Sequence, residues 1–491
     1  MAGTETLSLA ELFPAGMSGK RIHFIGAGGP GISSAIWLAR QHGALVSGCD
    51  ISASAGFRAL QSDGIAMALG HDATHSADAD LVVYTPFITH RNPDLPELVV
   101  ARERGIPTRK WQELLGYLMS GYMGVSVAGV HGKGSTTALL GSLAVAGGLD
   151  PTVEVGAISL EWGTNSRHGH SAYFLNEADE WDYNFLNYHP RVVVLTAVEY
   201  DHPEFYPSYE VIRDAFVSFI RGMDMSEHGD NGAIPPTLIL NADSPGCLDV
   251  LRLLGDWPGV VRTFGLDTPN VDARGEEVFV GGETSFTLCL CGEHLGRVTL
   301  STPGRHNVYN AVAAACAADA LGVSHDVLVP ALTHWPGLRR RFEIVEDGDV
   351  TFVDDYAHHP HAVALTLETA RERFPGRRVI AVFQPTLYTR LHRFLTPFSE
   401  AFDLADEVII VEIQPSRESD TGLIHGSALS EKIAQRLAFA DRPGAARYGG
   451  NYDETAALLR ELRRPGDVVV VMGSGPVNAV IAGTRNVTAG G

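Results

Sequence analysis

The sequence predicts an α/β protein of three successive units, each organised around a mostly parallel sheet. Three observations carry that expectation. Val/Ile-rich runs without polar alternation recur along the chain, as strands buried on both faces require. Such runs feed glycine turns and then stretches with helical spacing, which is the order of a strand–turn–helix unit. Only the region from about 258 to 302 breaks the pattern, alternating apolar and polar residues in "EEVFVGG", "TSFTLCL" and "GRVTLS". With 491 residues the chain has room for about three domains of ~100–200 residues. Breaks are expected near residues 121 and 341, giving 1–120, 121–340 and 341–491, with the alternating stretch a small antiparallel insertion in the middle unit.

The first unit opens at Arg21 with "RIHFIGAGGPGISSAIWLARQHG". Gly26, Gly28 and Gly31 match Gly-x-Gly-x-x-Gly between a strand and a helix. Small residues there let the backbone approach a diphosphate, and the helix amino terminus presents N–H groups and a positive dipole end. Asp50 closes the next strand, where a carboxylate can hold a ribose hydroxyl. The pattern suits any nucleotide diphosphate, so a nicotinamide-dependent oxidoreductase stays open at this point.

The second unit opens near Val125 with "VSVAGVHGKGSTTALLGSLAVAGG". Gly129, Gly132 and Gly134 permit a tight loop whose amides can surround phosphate oxygens. The spelling differs from Gly-x-x-x-x-Gly-Lys-Ser/Thr, because only Val130 and His131 separate Gly129 from Gly132. Lys133 can neutralise charge on β/γ-phosphates, and a purely structural turn would have no need of it. Gly134 has no hydroxyl to offer a metal, which moves that role to Ser135 or Thr136. Two further strands, "YFLNEADEWDYNF" and "VVVLTAVEYDHPEFY", end in carboxylates, the second in Asp201-His202. Acids at strand ends beside a phosphate loop are where Mg²⁺ would be held, since it takes oxygen ligands and substrate phosphates.

In the alternating stretch, Cys289 and Cys291 are expected on one face, as packing groups rather than half of a metal site. The five cysteines form no disulfide framework. A formal net charge of −21 argues against nucleic acid or an anionic membrane as partner. No signal-type segment or credible membrane span is evident, so a cytoplasmic location is expected. "RRVIAVFQPTLYTR" and "DVVVVMGSGPVNAVIAG" supply buried strands of the third unit, and the tail "NVTAGG" is expected to fray.

Together these stretches resemble the ATP-dependent Mur ligases of peptidoglycan assembly, most closely the branch that joins L-alanine to UDP-N-acetylmuramate. "GAGGPGIS", "GVHGKGSTT", "EADEWD", "EYDHPEFY", "PGRHNVYNA", "GLRRRFE", "VDDYAHHP" and "FQPTLYTR" fall in that family's order across residues 20 to 485. The resemblance implies a Rossmann-like amino-terminal domain for the UDP-sugar, holding Gly28, Gly31 and Asp50. It implies a P-loop-type central ATPase domain and a Rossmann-like carboxy-terminal domain for the amino acid. By the same resemblance Lys133 contacts ATP phosphates, and Glu177 and His202 hold Mg²⁺ together with Ser135. Asn307 meets the adenine, Arg341 a phosphate and Asp355 the ATP ribose, while His359 sits near the reacting groups. The implied substrates are ATP, UDP-N-acetylmuramate and an amino acid, with a monomer or weak homodimer as the working form.

Three departures from that family's usual spelling bear on what is joined. The loop reads Gly-Lys-Gly-Ser, as in the related folylpolyglutamate synthases. Trp181 stands where a small serine is usual, and Thr386-Leu387 stands where the L-alanine branch reads His-Arg, although Arg390 is kept. An incoming carboxylate needs a cationic fork, and a charge-assisted hydrogen bond to it is worth roughly 1.5–3 kcal/mol. The acceptor is therefore left open between L-alanine by default, another amine, and the preformed peptide used by recycling-type Mur ligases. An oxidoreductase leaves the Lys133 loop unexplained, and a non-catalytic scaffold leaves Lys133, Glu177, His202, Arg341 and Asp355 unexplained.

Overall fold

The computed structural model describes residues 7–86, 88, 92–226, 234–416, 418–439 and 445–485. The tail "NVTAGG" lies outside them. The chain divides into two compact units. One runs as far as Arg274 and adds Leu290–Glu293 and Asn310–Ala331; the other holds Gly275–Cys289, His294–Tyr309 and the chain from Leu332 onward.

The first unit contains two sheets. Strands β1 (Arg21–Ile25), β2 (Leu45–Asp50), β3 (Ala66–Leu69), β4 (Leu81–Tyr84) and β5 (Thr108–Lys110) form the first, in the order β3-β2-β1-β4-β5. Every pairing is parallel. The order reverses between β1 and β4, and the glycine turn after β1 lies at that switch point, where open α/β sheets bind ligands. Phe24 and Ile25 are fully buried, as are Val82 and Val83, which explains why these strands lack polar alternation.

The second sheet of this unit uses β6 (Met123–Ala128), β7 (Thr152–Glu154), β8 (Ser166–Arg167), β9 (Tyr173–Ala178), β10 (Val192–Leu195), β11 (Thr237–Asn241) and β12 (Val260–Gly265). They run β12-β11-β10-β6-β9-β7-β8. β6 therefore has β10 on one side and β9 on the other, both parallel to it. β12 corrects one expectation: it pairs parallel with β11, so the antiparallel insertion does not start at 258. Val260 and Val261 are exposed while Phe264 is fully buried, so β12 lacks the continuous apolar run of a strand covered on both faces.

The meander itself comprises β13 (Ala273–Val280), β14 (Thr284–Leu290) and β15 (Glu293–Leu300), neighbours in that order. Connections this short can join only antiparallel strands. Cys289 and Cys291 do not share a face. Cys289 is buried in β14 against His294 (3.3 Å), whereas Cys291 has left the strand for a left-handed turn (φ 48°) and is exposed.

In the second unit β16 (Glu343–Asp347), β17 (Thr351–Asp355), β18 (Val379–Phe383), β19 (Glu407–Val411), β20 (Ala446–Gly450) and β21 (Val468–Met472) form a sheet ordered β16-β17-β21-β18-β19-β20. Only β16 is antiparallel to its neighbour. Strands β17, β18 and β21 are buried throughout, with apolar clusters on both faces. Among the described residues no helix is long and apolar enough to cross a membrane.

Candidate active site

The glycine loop begins where β6 ends. Gly132, at φ 81°, caps a helix running Lys133–Ala146, and a Cβ there would collide with the Asn310 side chain. Left-handed backbone and close contact together call for glycine. Gly134 has a different reason for its size. A Cβ would lie 3.1 Å from Glu177 Oε2, so the missing hydroxyl makes room for a carboxylate. Ser135 and Thr136 are buried in the helix's first turn, and Thr136 Oγ1 donates to Asn310 Oδ1 at 3.3 Å.

Lys133 bends back over its own loop. Its Nζ donates to Gly129 O at 2.8 Å and to both Glu180 oxygens, at 3.1 and 2.8 Å. Burial works against this ammonium, but the carboxylates of Glu180, Asp179 and Glu177 outweigh it and hold its pKa above the ordinary lysine value. Lys133 is thus a fixed cation at the mouth of a helix whose dipole also favours anions.

The acids come from the strands flanking β6. Glu177 lies opposite Val127 across the β6–β9 ladder and accepts from the Gly156 N–H at 2.8 Å. Asp179 and Glu180 follow β9. The segment after β10 brings in Asp201 and His202, the latter at φ 52°. His202 Nε2 lies 3.7 Å from Glu180 Oε1 and from Asp201 Oδ2, and its Nδ1 lies 3.6 Å from Glu204 Oε1. Burial would lower its pKa, yet Glu180, Glu204 and Asp201 raise it to about 10. Asp179 is pushed up by burial and by Glu180. Glu180 is held below the usual range, because Lys133 and His202 overcome its burial.

Asp179, Glu180 and His202 form a group whose ligand atoms all lie within 4.8 Å of one another. Glu177, named from sequence alongside His202, instead faces Gly134 and Gly156. Sequence reasoning passed over Asp179 and Glu180, although the run "EADE" offered every one of these carboxylates. Trp181 packs edge-on against Phe205 (5.1 Å) at the start of a segment whose Asp182 and Tyr183 adopt φ of 52° and 56°.

At the first sheet's glycine turn, Gly28 N–H donates to Asp50 Oδ2 (3.0 Å), and Ser52 N–H donates to Asp50 Oδ1 (3.0 Å). Asp50 therefore braces the turn. Gly31 is small for packing reasons as well, since a Cβ would sit 2.6 Å from the Trp111 ring.

The remaining candidates lie in the second unit. Asn307 is buried in the first turn of the helix Arg305–Ala320, where Nδ2 donates to Pro303 O at 2.7 Å. Arg341 stacks its guanidinium on Tyr356 (5.1 Å), and Arg340 also reaches that ring (5.3 Å). Arg340 is tied to Asp354 (3.3 Å) and to Gly475 O (2.9 Å). Asp355 accepts from Phe342 N–H and Ala357 N–H, each at 2.7 Å, so its carboxylate organises the chain around Arg341. Burial raises its pKa, with Arg341 opposing. His359 precedes the helix Pro360–Arg373 and packs edge-on against Phe394 at 5.5 Å. Thr386 is buried with Oγ1 2.7 Å from Ser474 Oγ. Leu387, buried at φ 67°, starts the helix Tyr388–Arg393 that carries buried Arg390. A leucine in that backbone region is strained, which marks this corner as held in place by its surroundings.

Family models match in succession between residues 21 and 475. The Mur ligase family catalytic domain matches residues 21–123, the Mur ligase middle domain 127–318, and the Mur ligase glutamate ligase domain 340–475. The chain belongs to the Mur ligase family. Similar relatives include the UDP-N-acetylmuramate–L-alanine ligases of Solidesulfovibrio magneticus, 36% identical over 93% of this chain and 96% of that one, and of Nitratidesulfovibrio vulgaris, 37% identical over 94% and 97%. Among solved structures, the UDP-N-acetylmuramate–alanine ligase of Thermotoga maritima aligns with a TM-score of 0.75 at 26% identity, over 95% of this chain and 98% of that one. A murein peptide ligase from Psychrobacter arcticus shares the fold, with a TM-score of 0.69 at 24% identity over 96% of this chain and 100% of that one.

This Mur ligase is an ATP-dependent ligase, and its donor set can be tested against Mg²⁺. The side chains beside Lys133 offer carboxylate oxygens from Glu177, Asp179 and Glu180, hydroxyls from Ser135 and Thr136, and one imidazole. Oxygen donors next to a phosphate loop suit that hard cation.

Proposed function

We propose that this Mur ligase joins L-alanine to the lactyl carboxylate of UDP-N-acetylmuramate at the expense of ATP, making a peptidoglycan precursor. The observation that carries the reading is Lys133, a buried cation held by Glu180 over a glycine loop between two acid-bearing strands.

The chemistry follows from what a carboxylate lacks. Its oxygen is too poor a leaving group for an amine to displace at neutral pH, so it must first accept the γ-phosphoryl group as an acyl phosphate. The amine then attacks through a tetrahedral intermediate and phosphate departs. During the first step charge gathers on phosphoryl oxygens, which Lys133 and amides of the glycine loop stabilise, while the family resemblance gives Arg341 a phosphate contact. Mg²⁺ held among Glu177, Asp179, Glu180, His202 and Ser135 would neutralise charge on the β- and γ-phosphates. Gly28, Gly31 and Asp50 form the turn that receives the UDP end. Asn307 and Asp355 serve the adenosine, His359 lies by the reacting groups, and Thr386 and Arg390 receive the amino acid's carboxylate. The working form on this reading is a cytoplasmic monomer or weak homodimer.

On this reading Arg390 supplies a cationic contact that neither Thr386 nor Leu387 can, since neither carries charge. One assay tests the assignment: phosphate release from ATP with UDP-N-acetylmuramate against L-alanine, other amino acids and the peptide used in recycling, with the product weighed by mass spectrometry. We expect L-alanine to give the highest kcat/KM. A higher value for the peptide or another amine would overturn that acceptor.

A further inference from the structure

We propose that the amino-terminal sheet carries a binding site for a zinc-like divalent cation, formed by His23, Cys49, His75 and Glu97. None of these residues belongs to the Lys133 site, and the ligation chemistry is different. His23 stands on β1 and Cys49 on β2, neighbouring parallel strands. His75 ends the turn after β3, and Glu97 lies in the first turn of the helix Pro96–Arg104. One ligand atom from each of the four lies within 4.8 Å of the other three.

The distances have the scale of a coordination shell. Cys49 Sγ is 3.4 Å from His23 Nε2 and 3.3 Å from Glu97 Oε1, and His75 Nδ1 is 3.0 Å from the same oxygen. Ligand atoms ~2.0–2.3 Å from a tetrahedral zinc lie about 3.3–3.7 Å apart, close to these three separations, and the remaining pairs lie within 4.8 Å. His71 Nδ1 stands beside it, 3.7 Å from Cys49 Sγ and 3.2 Å from Glu97 Oε1.

Hydrogen bonds fall unevenly on the two oxygens of Glu97. Its carboxylate is fully buried, and its ion-pair partners among the described residues are the imidazoles of His71 and His75. Four groups crowd Oε1: His71, His75, the Cys49 thiol and the Asp72 N–H, which is 3.0 Å away. Oε2 is equally buried and has no partner among the described residues. A carboxylate has about four acceptor sites spread over two oxygens, and leaving one oxygen dry in the interior is costly. A cation bound by the carboxylate removes both difficulties.

The donor types select the metal. Imidazole, thiolate and one carboxylate are zinc's ligands, whereas Mg²⁺ and Ca²⁺ ask for oxygen throughout. Metal binding would release one proton from Cys49 Sγ, as thiolate ligation requires. The His71 and His75 side chains are 15% and 19% exposed, which leaves the cluster one open edge for entry. The Cys49 carbonyl accepts from Gly26 N–H (2.8 Å) and Ala27 N–H (3.0 Å), so a bound ion would brace the floor of the glycine turn.

The test uses the full-length chain stripped of metal and titrated with Co²⁺, then with Zn²⁺ against a chromophoric chelator. We expect one equivalent of Co²⁺ to produce a thiolate-to-cobalt charge-transfer band and four-coordinate d–d bands. Both should be absent in Cys49→Ser and kept in Cys291→Ser, which alters the exposed thiol. Zinc affinity should fall by more than the ~10–100-fold that losing an outer partner costs, in Cys49→Ser and in His75→Gln alike. If Cys49→Ser does not fold, the wild-type spectrum and the partly exposed His75 variant decide. A wild-type chain without a charge-transfer band, or the same band in Cys49→Ser, would leave a hydrogen-bonded network only and end the proposal.

Discussion

Lys133 and Glu180 depend on each other in two ways. The Glu180 side chain is 1% exposed and that of Lys133 11%, so removing the lysine strands a carboxylate in the interior. Breaking a buried pair from one side costs about 3–5 kcal/mol. Removing a preorganised electrostatic group at a reacting centre costs ~10²–10³-fold in rate. Lys133→Ala should therefore lose both phosphate release and thermal stability. Adding Glu180→Gln should restore the unfolding temperature, which isolates the structural part of the loss, while turnover stays at the background. Recovery of turnover in the double variant would remove Lys133 from the reaction. At this scale the sequence marked the lysine, the glycines and the acids, because their chemistry is intrinsic to residue type. It did not mark Glu180 as the lysine's partner, since four carboxylates within "EADEWD" are equivalent until the chain is folded.

Among the elements, the connections after β11 and β12 are held by one side chain. Asp243 Oδ2 accepts from Leu266 N–H (2.6 Å) and Asp267 N–H (2.9 Å), and Oδ1 from Thr268 N–H (2.7 Å). Burial disfavours this carboxylate, but the donors on Asp267, Thr268 and Leu266 outweigh burial and bring its pKa down to about 2. A carboxyl depressed in the folded state stabilises it above the unfolded pKa of ~3.9 and loses that contribution as pH falls through the folded value. Asp243→Asn should thus lower stability at neutral pH and narrow its gap from the wild type between about pH 4 and pH 2. Urea unfolding across that range checks this; a constant gap would mean the clasp does not titrate as described. The strands themselves were legible from their Val/Ile runs and glycine stops. The extent of the antiparallel meander was not, because β12 is exposed at its first residues and buried only at its last, and so lacks the continuous apolar run that marks the other parallel strands. The face of Cys291 was misread for a similar reason: the strand ends at Leu290, one residue before it.

On the scale of the first unit, its two sheets meet through very close packing. Gly116, in the helix Trp111–Met119, has no room for a Cβ, which would fall on the Asn187 carbonyl oxygen. Lys110 Nζ bridges to Asp182 at 2.5 Å just beside it, in the segment that follows the acids of β9. Overpacking typically costs about 1–3 kcal/mol, and here a backbone atom rather than a flexible side chain must yield. Gly116→Ala should lower unfolding free energy by about that amount in chemical denaturation, while Gly348→Ala, a site with open space, should cost less. Local pattern settled much about this Mur ligase: strand–turn–helix units, a phosphate loop, acid-tipped strands and a family spelling in register from end to end. Those features are written in residue type and spacing, which the unfolded chain already possesses. Which strands become neighbours is not written there, because one buried run of valines suits any central position in a sheet. Only packing placed β9 and β10 on either side of β6, and so delivered Asp179, Glu180 and His202 to the mouth of the loop. The same long-range choice gathered His23, Cys49, His75 and Glu97 under the first glycine turn, although no spacing in the sequence joins them.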